Sequence, residues 1–177
     1  MSRLTLTLIS ALLAVATAHG QALPAGIGPG TYVQVGASGS LFQVDYGQRK
    51  LAGGTLFLDA HLYRRIGAEA EVRTLNIHQD EGVHETTYLA GPRISVKRGA
   101  IRPYAKLLAG RGEFYFPFNY AKGSYLVLAA GGGVDWHVAR TRLTVRLLDL
   151  EFQDWPGFSF GTLHPYGLTS GVALRVF

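Results

Sequence analysis

Apolar and polar residues alternate with a period of two in recurring segments after residue 31. In one such segment Leu56, Leu58 and Ala60 lie on one face, while Asp59 and His61 lie on the other. Side chains point alternately to the two sides of a β-strand, so this pattern predicts strands rather than helices. Turn residues divide the region into eight predicted strands, over residues 32–44, 51–63, 68–78, 86–96, 102–116, 124–138, 143–155 and 165–177.

The connections between the predicted strands alternate between two kinds. Three are short and basic, over residues 64–67, 97–101 and 139–142, whereas those over residues 45–50, 79–85, 117–123 and 156–164 are longer and more varied. The predicted strands are long enough to cross a membrane, which takes about 9–11 residues of a tilted strand. Transmembrane barrels have short periplasmic turns and longer extracellular loops. We therefore predict an all-β fold, an eight-stranded antiparallel up-and-down transmembrane β-barrel with both termini periplasmic and its long loops extracellular.

The charged residues lie on one face of most of the predicted strands. A charge on the lipid side costs on the order of 2–4 kcal/mol at mid-membrane, so we expect these faces to line the interior. The expected inward residues are the acids Asp59, Glu69, Glu71, Asp135, Asp149 and Glu151 and the bases Arg73, Arg93, Lys97, Arg102, Lys106 and Arg175. Opposite charges can pair there, as buried ions require.

From these faces we predict a network inside the barrel. Its members are Asp59, Glu69, Glu71, Arg73, Arg93, Lys106, Asp135, Asp149 and Glu151. Asp149, Glu151 and Gln153 would form a polar ladder, for which we favour a structural salt-bridge role over a gated proton or ion path. Eight strands enclose an interior just filled by side chains, so we predict no wide pore.

The seventh predicted strand breaks the alternation. Leu143 shares the parity of Asp149, so the outward row must shift near Leu147. A β-bulge would restore the pattern. The alternative, which we favour, places Arg146 outward near the headgroups, where a long cationic side chain can reach water.

Aromatic residues gather near the predicted strand ends in two bands. The band near the short turns contains Tyr32, Tyr63, Trp136 and Phe177, and the band near the long loops contains Phe42, Tyr46, Phe114, Phe116, Phe118, Tyr120, Tyr125, Trp155 and Phe158. Membrane barrels carry aromatic girdles at both interfaces, with an apolar belt between them. We expect these residues to form such girdles.

The two ends of the sequence carry features of an exported protein. A charged start at Arg3, an apolar run over residues 4–15 and small residues up to Ala22 predict a signal peptide over residues 1–22, with cleavage after Ala18 as the alternative. We expect a short periplasmic segment over residues 23–30 and the barrel domain over 31–177. A polar-x-Gly-x-x-apolar-x-apolar pattern is formed by Thr169, Gly171, Leu174 and Val176 and is followed by Phe177.

This terminal pattern resembles the assembly signal of bacterial outer-membrane barrels. Beyond the predicted signal peptide, nearly the whole chain resembles the small eight-stranded OmpA/OmpX-like barrel family. The resemblance implies an outer-membrane location, contact with outer-membrane lipids and lipopolysaccharide, and recognition of the last strand by the outer-membrane assembly machinery. It also implies a structural or surface-interaction role, with the outer loops as variable recognition elements. We expect partner contact at the loop over residues 156–164, edged by Trp155 and Phe158, and predict no particular loop partner.

Composition narrows the remaining chemistry. The chain has no cysteine, which excludes disulfides, thiolate metal sites and a lipoprotein attachment site. It has 17 Lys and Arg against 12 Asp and Glu, but we do not expect an exported protein to bind nucleic acid. Potential metal ligands gather at His78, Asp80, Glu81, His84 and Glu85. Their spacing matches no closed-site motif, so we expect a solvated loop and predict no metal or cofactor.

Two other functions stay open. A lipid A deacylase or palmitoyltransferase is a barrel of this size and needs a nucleophile, a base and an orienting acid within reach of one another. Candidate residues are Ser95, Ser124 and Ser159 with His61, His137 and His164. None lies in a recognisable context such as the deacylase's His-x-Ser element, so we predict no catalytic residue and no enzyme. A soluble lipocalin-like secreted barrel would need polar residues outside, whereas one face is uncharged in most strands.

Overall fold

The structure is a computed structural model that describes residues 31–45, 49–77, 84–115, 122–158 and 161–176. The strands in these residues are β1 Tyr32–Val44, β2 Arg49–Tyr63, β3 Ile66–Ile77, β4 His84–Ser95, β5 Ile101–Tyr115, β6 Lys122–His137, β7 Leu143–Phe158, β8 Gly161–Leu163 and β9 Tyr166–Arg175. None of the described residues belongs to a helix long and apolar enough to cross a membrane. The expected signal peptide and the segment over residues 23–30 lie outside the described residues and stay predictions.

Antiparallel pairing joins each strand to its neighbour and closes the sheet. Strands β1 to β7 pair in chain order, and β9 pairs with both β7 and β1. The closing pair runs from Gln34 opposite Arg175 to Gln43 opposite Tyr166. Closure satisfies the backbone groups that an open edge would leave in lipid. The predicted eight-stranded antiparallel transmembrane barrel is confirmed, with β1–β7 and β9 as its wall and β8 as a short extension of the β7 hairpin.

The two ends of the barrel differ in their connections. At the short-turn end, tight turns join β2 to β3, β4 to β5 and β6 to β7, and β1 begins and β9 ends there. Arg64 and Arg140 adopt positive φ angles of 52° and 62° in two of these turns. The other connections lie at the opposite end, the long-loop end, where those over residues 78–83 and 116–121 are longer than any connection at the short-turn end. The predicted alternation of short and long connections therefore holds for β3–β4 and β5–β6, whereas the connection from β1 to β2, over residues 45–48, is shorter than predicted because β2 already begins at Arg49.

The outer face of the barrel is apolar. Its most exposed side chains include Leu41, Leu56, Leu62, Ile66, Leu107, Leu126, Leu150, Leu174 and Val176. Tyr63 and Trp136 also point outward at the short-turn end, and Phe152 and Tyr166 point outward nearer the long loops. An apolar surface that surrounds a barrel matches the acyl chains of a bilayer.

Four residues expected in the aromatic girdles point inward instead. Phe42, Phe114 and Trp155 are buried in the lumen, and Tyr32 is buried near the short-turn end. Each shares its parity with polar lumen residues on the same strand, so the pleat directs it inward. Tyr125 is partly buried and packs against the lumen cluster. The remaining predicted girdle members outside the described residues or side chains are Tyr46, Phe116, Phe118, Tyr120, Phe158 and Phe177.

A bulge in β7 sets the register of this strand. Leu147 and Leu148 are both exposed, and the pairing with β9 shifts between Arg146 and Asp149. The extra residue turns Arg146 to the inner face, where it is 1% exposed. The expectation that Arg146 faces the headgroups is therefore wrong. Because of the bulge, the leucines of β7 face lipid while its charged residues face the lumen.

Glycines in the wall make room for bulky lumen side chains. A Cβ at Gly112 would collide with the indole of Trp155, and one at Gly133 would meet the hydroxyl of Tyr104 at 2.8 Å. Gly131, Gly132 and Gly133 lie in the middle of β6, between β5 and β7. This is the close strand packing for which glycine is suited.

Candidate functional site

The lumen contains two stacked layers of side chains. The ionic layer consists of Asp59, Glu69, Glu71, Arg73, Arg93, Lys106, Asp135, Arg146, Asp149 and Glu151. The apolar plug, toward the long-loop end, consists of Phe42, Val44, Leu51, Leu75, Leu89, Leu108, Phe114, Val127, Ala129, Trp155 and Leu163. Alternate residues of one strand supply both layers, because the inward row of β3 runs from Leu75 in the plug through Arg73 to Glu71 and Glu69.

Arg93 and Arg146 join walls that are distant in sequence. The guanidinium of Arg93, from β4, lies 2.5 Å from Asp59 Oδ2, 2.6 Å from Glu69 Oε2 and 2.5 Å from Asp135 Oδ2. Arg146 donates to both oxygens of Glu69, at 3.0 and 2.9 Å. The Arg93 guanidinium also lies 3.6 Å from the centre of the Tyr104 ring. Bidentate pairs of this kind fix geometry as well as charge.

Lys106 is the most highly connected cation of the layer. Its Nζ lies 3.2 Å from Glu69 Oε1, 3.1 Å from Glu71 Oε2, 2.7 Å from Asp149 Oδ2 and 2.9 Å from Glu151 Oε2. The ammonium group and these carboxylates are fully buried. An ammonium taken out of water needs such partners to offset its lost hydration.

Arg73 and Gln153 connect the ionic layer to the plug. Arg73 pairs with Glu71 at 2.6 Å and Glu151 at 2.8 Å, and its guanidinium stacks 4.1 Å from the centre of the Phe42 ring. Gln153 Nε2 donates to Glu151 at 2.9 Å, and its Oε1 accepts from the indole nitrogen of Trp155 at 2.8 Å. Direct hydrogen bonds and a guanidinium–aromatic contact thus join the two layers.

The structure places all nine residues of the predicted network in the ionic layer and adds Arg146. Two other predicted inward bases, Arg102 and Arg175, are only half-buried and stack on Tyr32 near the short-turn end. Lys97 is exposed beyond the end of β4, so its predicted inward position is wrong. The layer therefore contains six carboxylates and four cations rather than equal numbers.

Glu85 is a buried acid, although its place in the sequence predicts a solvated loop. It is an inward residue of β4, 1% exposed, and lies opposite Leu75 of β3 and Phe114 of β5 in the sheet. Neither of its carboxylate oxygens has a hydrogen-bond partner among the described residues, and the hydroxyl of Thr87 beside it also has none. A buried polar group without a partner costs on the order of 1–3 kcal/mol.

Part of the predicted assembly signal lies at the seam between β9 and β1. Ser40 Oγ is 3.1 Å from the hydroxyl of Thr169 and 2.7 Å from that of Thr55, so these side chains connect β9, β1 and β2. A Cβ at Gly171 would collide with β1. Leu174 and Val176 are exposed on the outer face, and Phe177 lies outside the described residues.

The candidate metal ligands do not converge. His84 and Glu85 are adjacent in β4 and point to opposite faces, with His84 stacked on Tyr115 at 4.8 Å between ring centres. No group of three or more potential ligands is placed to hold a metal ion in the part of the chain that the structure describes. His78, Asp80 and Glu81 lie outside it.

The candidate catalytic residues are spread over the barrel. His164 is exposed at the long-loop end, and its Nδ1 lies 3.2 Å from Asp154 Oδ1. Ser124 is exposed on β6, whereas Ser95 is buried near the short-turn end. His61 stacks on a tyrosine ring at the short-turn end, and His137 also lies at that end. Ser159 lies outside the described residues.

Known structures share this architecture. No protein-family model matches the sequence, and no curated protein matches it significantly. Neisserial surface protein A (NspA) aligns over 82% of this chain and 96% of its own, with 11% identity and a TM-score of 0.66. Ail, the attachment invasion locus protein of Yersinia pestis, in complex with the heparin analogue sucrose octasulfate, aligns over 81% and 97%, with 16% identity and a TM-score of 0.50. The N-terminal β-barrel domain of Pseudomonas aeruginosa OprF aligns over 82% and 98%, with 14% identity and a TM-score of 0.50. The fold of this chain is that of the small eight-stranded outer-membrane β-barrels.

Proposed function

We propose that the protein is an outer-membrane barrel with a structural or surface-interaction role and a lumen closed to diffusion. The observation that carries this proposal is the pair of stacked layers in the lumen. Arg93 alone connects carboxylates from three other strands, and the plug above it is packed around a fully buried Trp155. A solute would have to break ion pairs and displace packed side chains in succession.

Conductance measurements test the closed lumen. The purified protein, refolded and inserted into planar bilayers, should give no large, stable openings, because side chains fill the interior of an eight-stranded barrel. Trp155→Ala should increase the frequency of brief, small openings, while Leu56→Ala on the outer face is the matched control. Stable openings of general-porin size in the unaltered protein would reject the proposal.

We further propose that the short-turn end faces the periplasm and the long-loop end faces the outside. The chain has no cysteine, so single cysteines can report orientation in cells. Thr162→Cys at the long-loop end should react in intact cells with a maleimide polymer too large to pass porins. Ala139→Cys, exposed at the short-turn end, should react only after the outer membrane is permeabilised. The reverse labelling pattern would invert the proposed orientation.

The proposed partners are the outer-membrane lipids and lipopolysaccharide around the wall, and the assembly machinery through β9. The apolar outer face supports the first, and the pattern that ends in Leu174 and Val176 supports the second. Deletion of Phe177 should lower the fraction of protein that reaches the outer membrane and shows a heat-modifiable band on gels. An unchanged fraction would contradict a role for this pattern in assembly.

The loop around β8 is the proposed site of surface contact, in a revised form. Trp155 and Leu163 belong to the buried plug and cannot contact a partner, so the accessible part is the tip between them. Gly157 and Gly161 have positive φ angles of 81° and 119° there. Deleting residues 157–162 should preserve heat-modifiability and change the binding of intact cells to lipopolysaccharide-coated or host-cell surfaces. Unchanged binding would exclude this loop as the contact site.

A further inference from the structure

The short-turn end carries a ring of exposed cations, here called the basic collar. It consists of Arg64, Arg65, Lys97, Arg98, Arg140 and Arg142, all of them exposed. These residues come from the turns β2–β3, β4–β5 and β6–β7, which follow one another around the barrel. The collar is not part of the lumen network.

No described acid balances the basic collar. The acids of the described residues are either buried in the lumen or lie at the long-loop end, where Asp45, Glu113 and Asp154 are found. Exposed Arg111, by contrast, has Glu113 at 3.8 Å. The collar therefore presents a one-signed surface, which attracts an anionic partner.

The position of the collar points to a lipid partner. Outward-facing Tyr63 and Trp136, 57% and 43% exposed, lie at the ends of the strands that lead into the turns. Such aromatics mark the membrane–water interface. The guanidinium of Arg64 lies 5.2 Å from the centre of the Tyr63 ring, so at least this cation lies beside that interface. Lipid phosphates occupy the same depth.

We infer that the basic collar binds the headgroups of anionic phospholipids, of the phosphatidylglycerol class, in the leaflet at the short-turn end. Basic residues near an anionic bilayer surface are attracted to it within about a Debye length. Several cations spread over three adjacent turns would enrich these lipids around the barrel and hold its depth in the membrane. The inference rests on the proposed membrane insertion and adds a lipid class and a site to it.

Fluorescence of Trp136 can test this inference. The protein is reconstituted into vesicles of phosphatidylcholine with a minor share of phosphatidylglycerol, in which the acyl chains of one lipid or the other carry bromine at equal mole fraction. Bromine quenches tryptophan at short range. Trp136 faces lipid beside the collar, whereas Trp155 is 0% exposed and contributes a background. We expect brominated phosphatidylglycerol to quench about twofold more than brominated phosphatidylcholine, with the excess lost at high salt.

A collar variant and a control at the opposite end of the barrel complete the design. Arg64→Asn and Arg140→Asn remove charge while keeping a residue that tolerates the positive φ of these turns. Arg65→Gln, Lys97→Gln, Arg98→Gln and Arg142→Gln remove the rest of the collar, and this variant should lose the excess quenching. The control, Lys50→Gln with Arg111→Gln, removes exposed cations at the long-loop end and should retain it.

The outcomes separate the inference from the proposed insertion. Equal quenching by the two brominated lipids, or an excess that survives in the collar variant, would overturn lipid binding by the collar while insertion stands. Absence of quenching by either lipid would contradict insertion itself. If the collar variant does not refold, a salt titration of the unaltered protein tests the inference instead. Excess quenching by brominated phosphatidylglycerol that salt does not reduce is not electrostatic and would overturn the inference.

Discussion

The ionic layer and the apolar plug close the same lumen by opposite means. Strands β2 to β7 contribute inward residues to both, β1 and β8 contribute to the plug, and both layers are buried to a similar degree. The plug is held by packing, in which each side chain contributes according to the volume it fills. The ionic layer is held by pairing, in which each charge depends on particular partners. Lys106, for example, serves four carboxylates at once.

This difference predicts how each layer responds to damage. Removing one apolar side chain leaves a cavity, and the loss scales with its size. Removing one member of a buried ion network leaves its partners charged and unpaired, which costs more than the pair contributed. We therefore expect the ionic layer to be intolerant of single changes and the plug to respond in graded steps.

Loss of the central cation should have the largest effect. Lys106→Met retains most of the side-chain volume but leaves the carboxylates with fewer cations, and we expect a loss of about 4 kcal/mol in the free energy of unfolding. Urea unfolding of the protein refolded in lipid vesicles measures it. Lys50→Met, an exposed lysine, is the control and should change the free energy by less than about 0.5 kcal/mol. A loss below about 1 kcal/mol for Lys106→Met would mean that water enters the layer and rescues the unpaired acids.

A truncation in the plug should cost somewhat less. Leu75 is 0% exposed, and Leu75→Ala should lower the free energy of unfolding by about 3 kcal/mol through lost burial and a residual cavity. Leu56→Ala removes the same atoms from the outer face, where lipid can fill the gap, and should cost clearly less. If both truncations lower the free energy of unfolding equally in the urea experiment, the plug is not packed like a protein interior.

Glu85 is the exception within the plug, and its replacement should stabilise the barrel. Because neither carboxylate oxygen has a described partner, Glu85→Leu removes a desolvation cost and should raise the free energy of unfolding by about 2 kcal/mol. Glu71→Leu, which removes an acid bonded to Arg73 and Lys106, should lower it in the same assay. Destabilisation by Glu85→Leu would show that this carboxylate has a partner which the described contacts omit.

The smallest effect is expected for removal of the β7 bulge. Deleting Leu147 leaves a regular alternation in which Arg146 and Asp149 still point inward, so we expect a change of about 1 kcal/mol or less. Deleting Leu150 instead shifts the residues after it to the wrong face and should prevent folding. Heat-modifiability on gels distinguishes the two deletions. If neither deletion variant folds, the bulge has a structural role besides setting the register of β7.

Much of the fold and of the ionic layer could be predicted from period-two alternation. A charged residue opposite an apolar row leaves little ambiguity, because lipid excludes charge from one face. The alternation predicts that Asp59, Glu69 and Lys106 face inward, and the structure places them in the lumen. The strand count followed from the alternation of short and long connections, and barrel closure followed from the need to satisfy edge strands in lipid.

The plug escaped prediction because its residues are apolar, as are those that face lipid. The position of Trp155 at a strand end predicts a girdle residue, whereas its parity with Glu151 and Gln153 places it on the inward row, and the structure follows the parity. The outward position predicted for Arg146 is wrong for a different reason. The alternation of apolar and polar residues is regular on each side of a bulge, so neither half of β7 reveals the bulge alone. It becomes apparent only when the charged residues of both halves are required to face the lumen.

The seam between β9 and β1, where Ser40 contacts Thr169, should affect how fast the barrel forms as well as how stable it is. These residues lie 129 positions apart, so the seam cannot form until almost the whole wall has been made. Contacts between such distant residues form slowly, because the entropy of loop closure must be overcome first. Until then β1 pairs with β2 on one side, and its other edge lacks a neighbouring strand. How fast the protein appears in the membrane should therefore depend on the delivery of β9, whereas how long it survives there depends on the side chains inside.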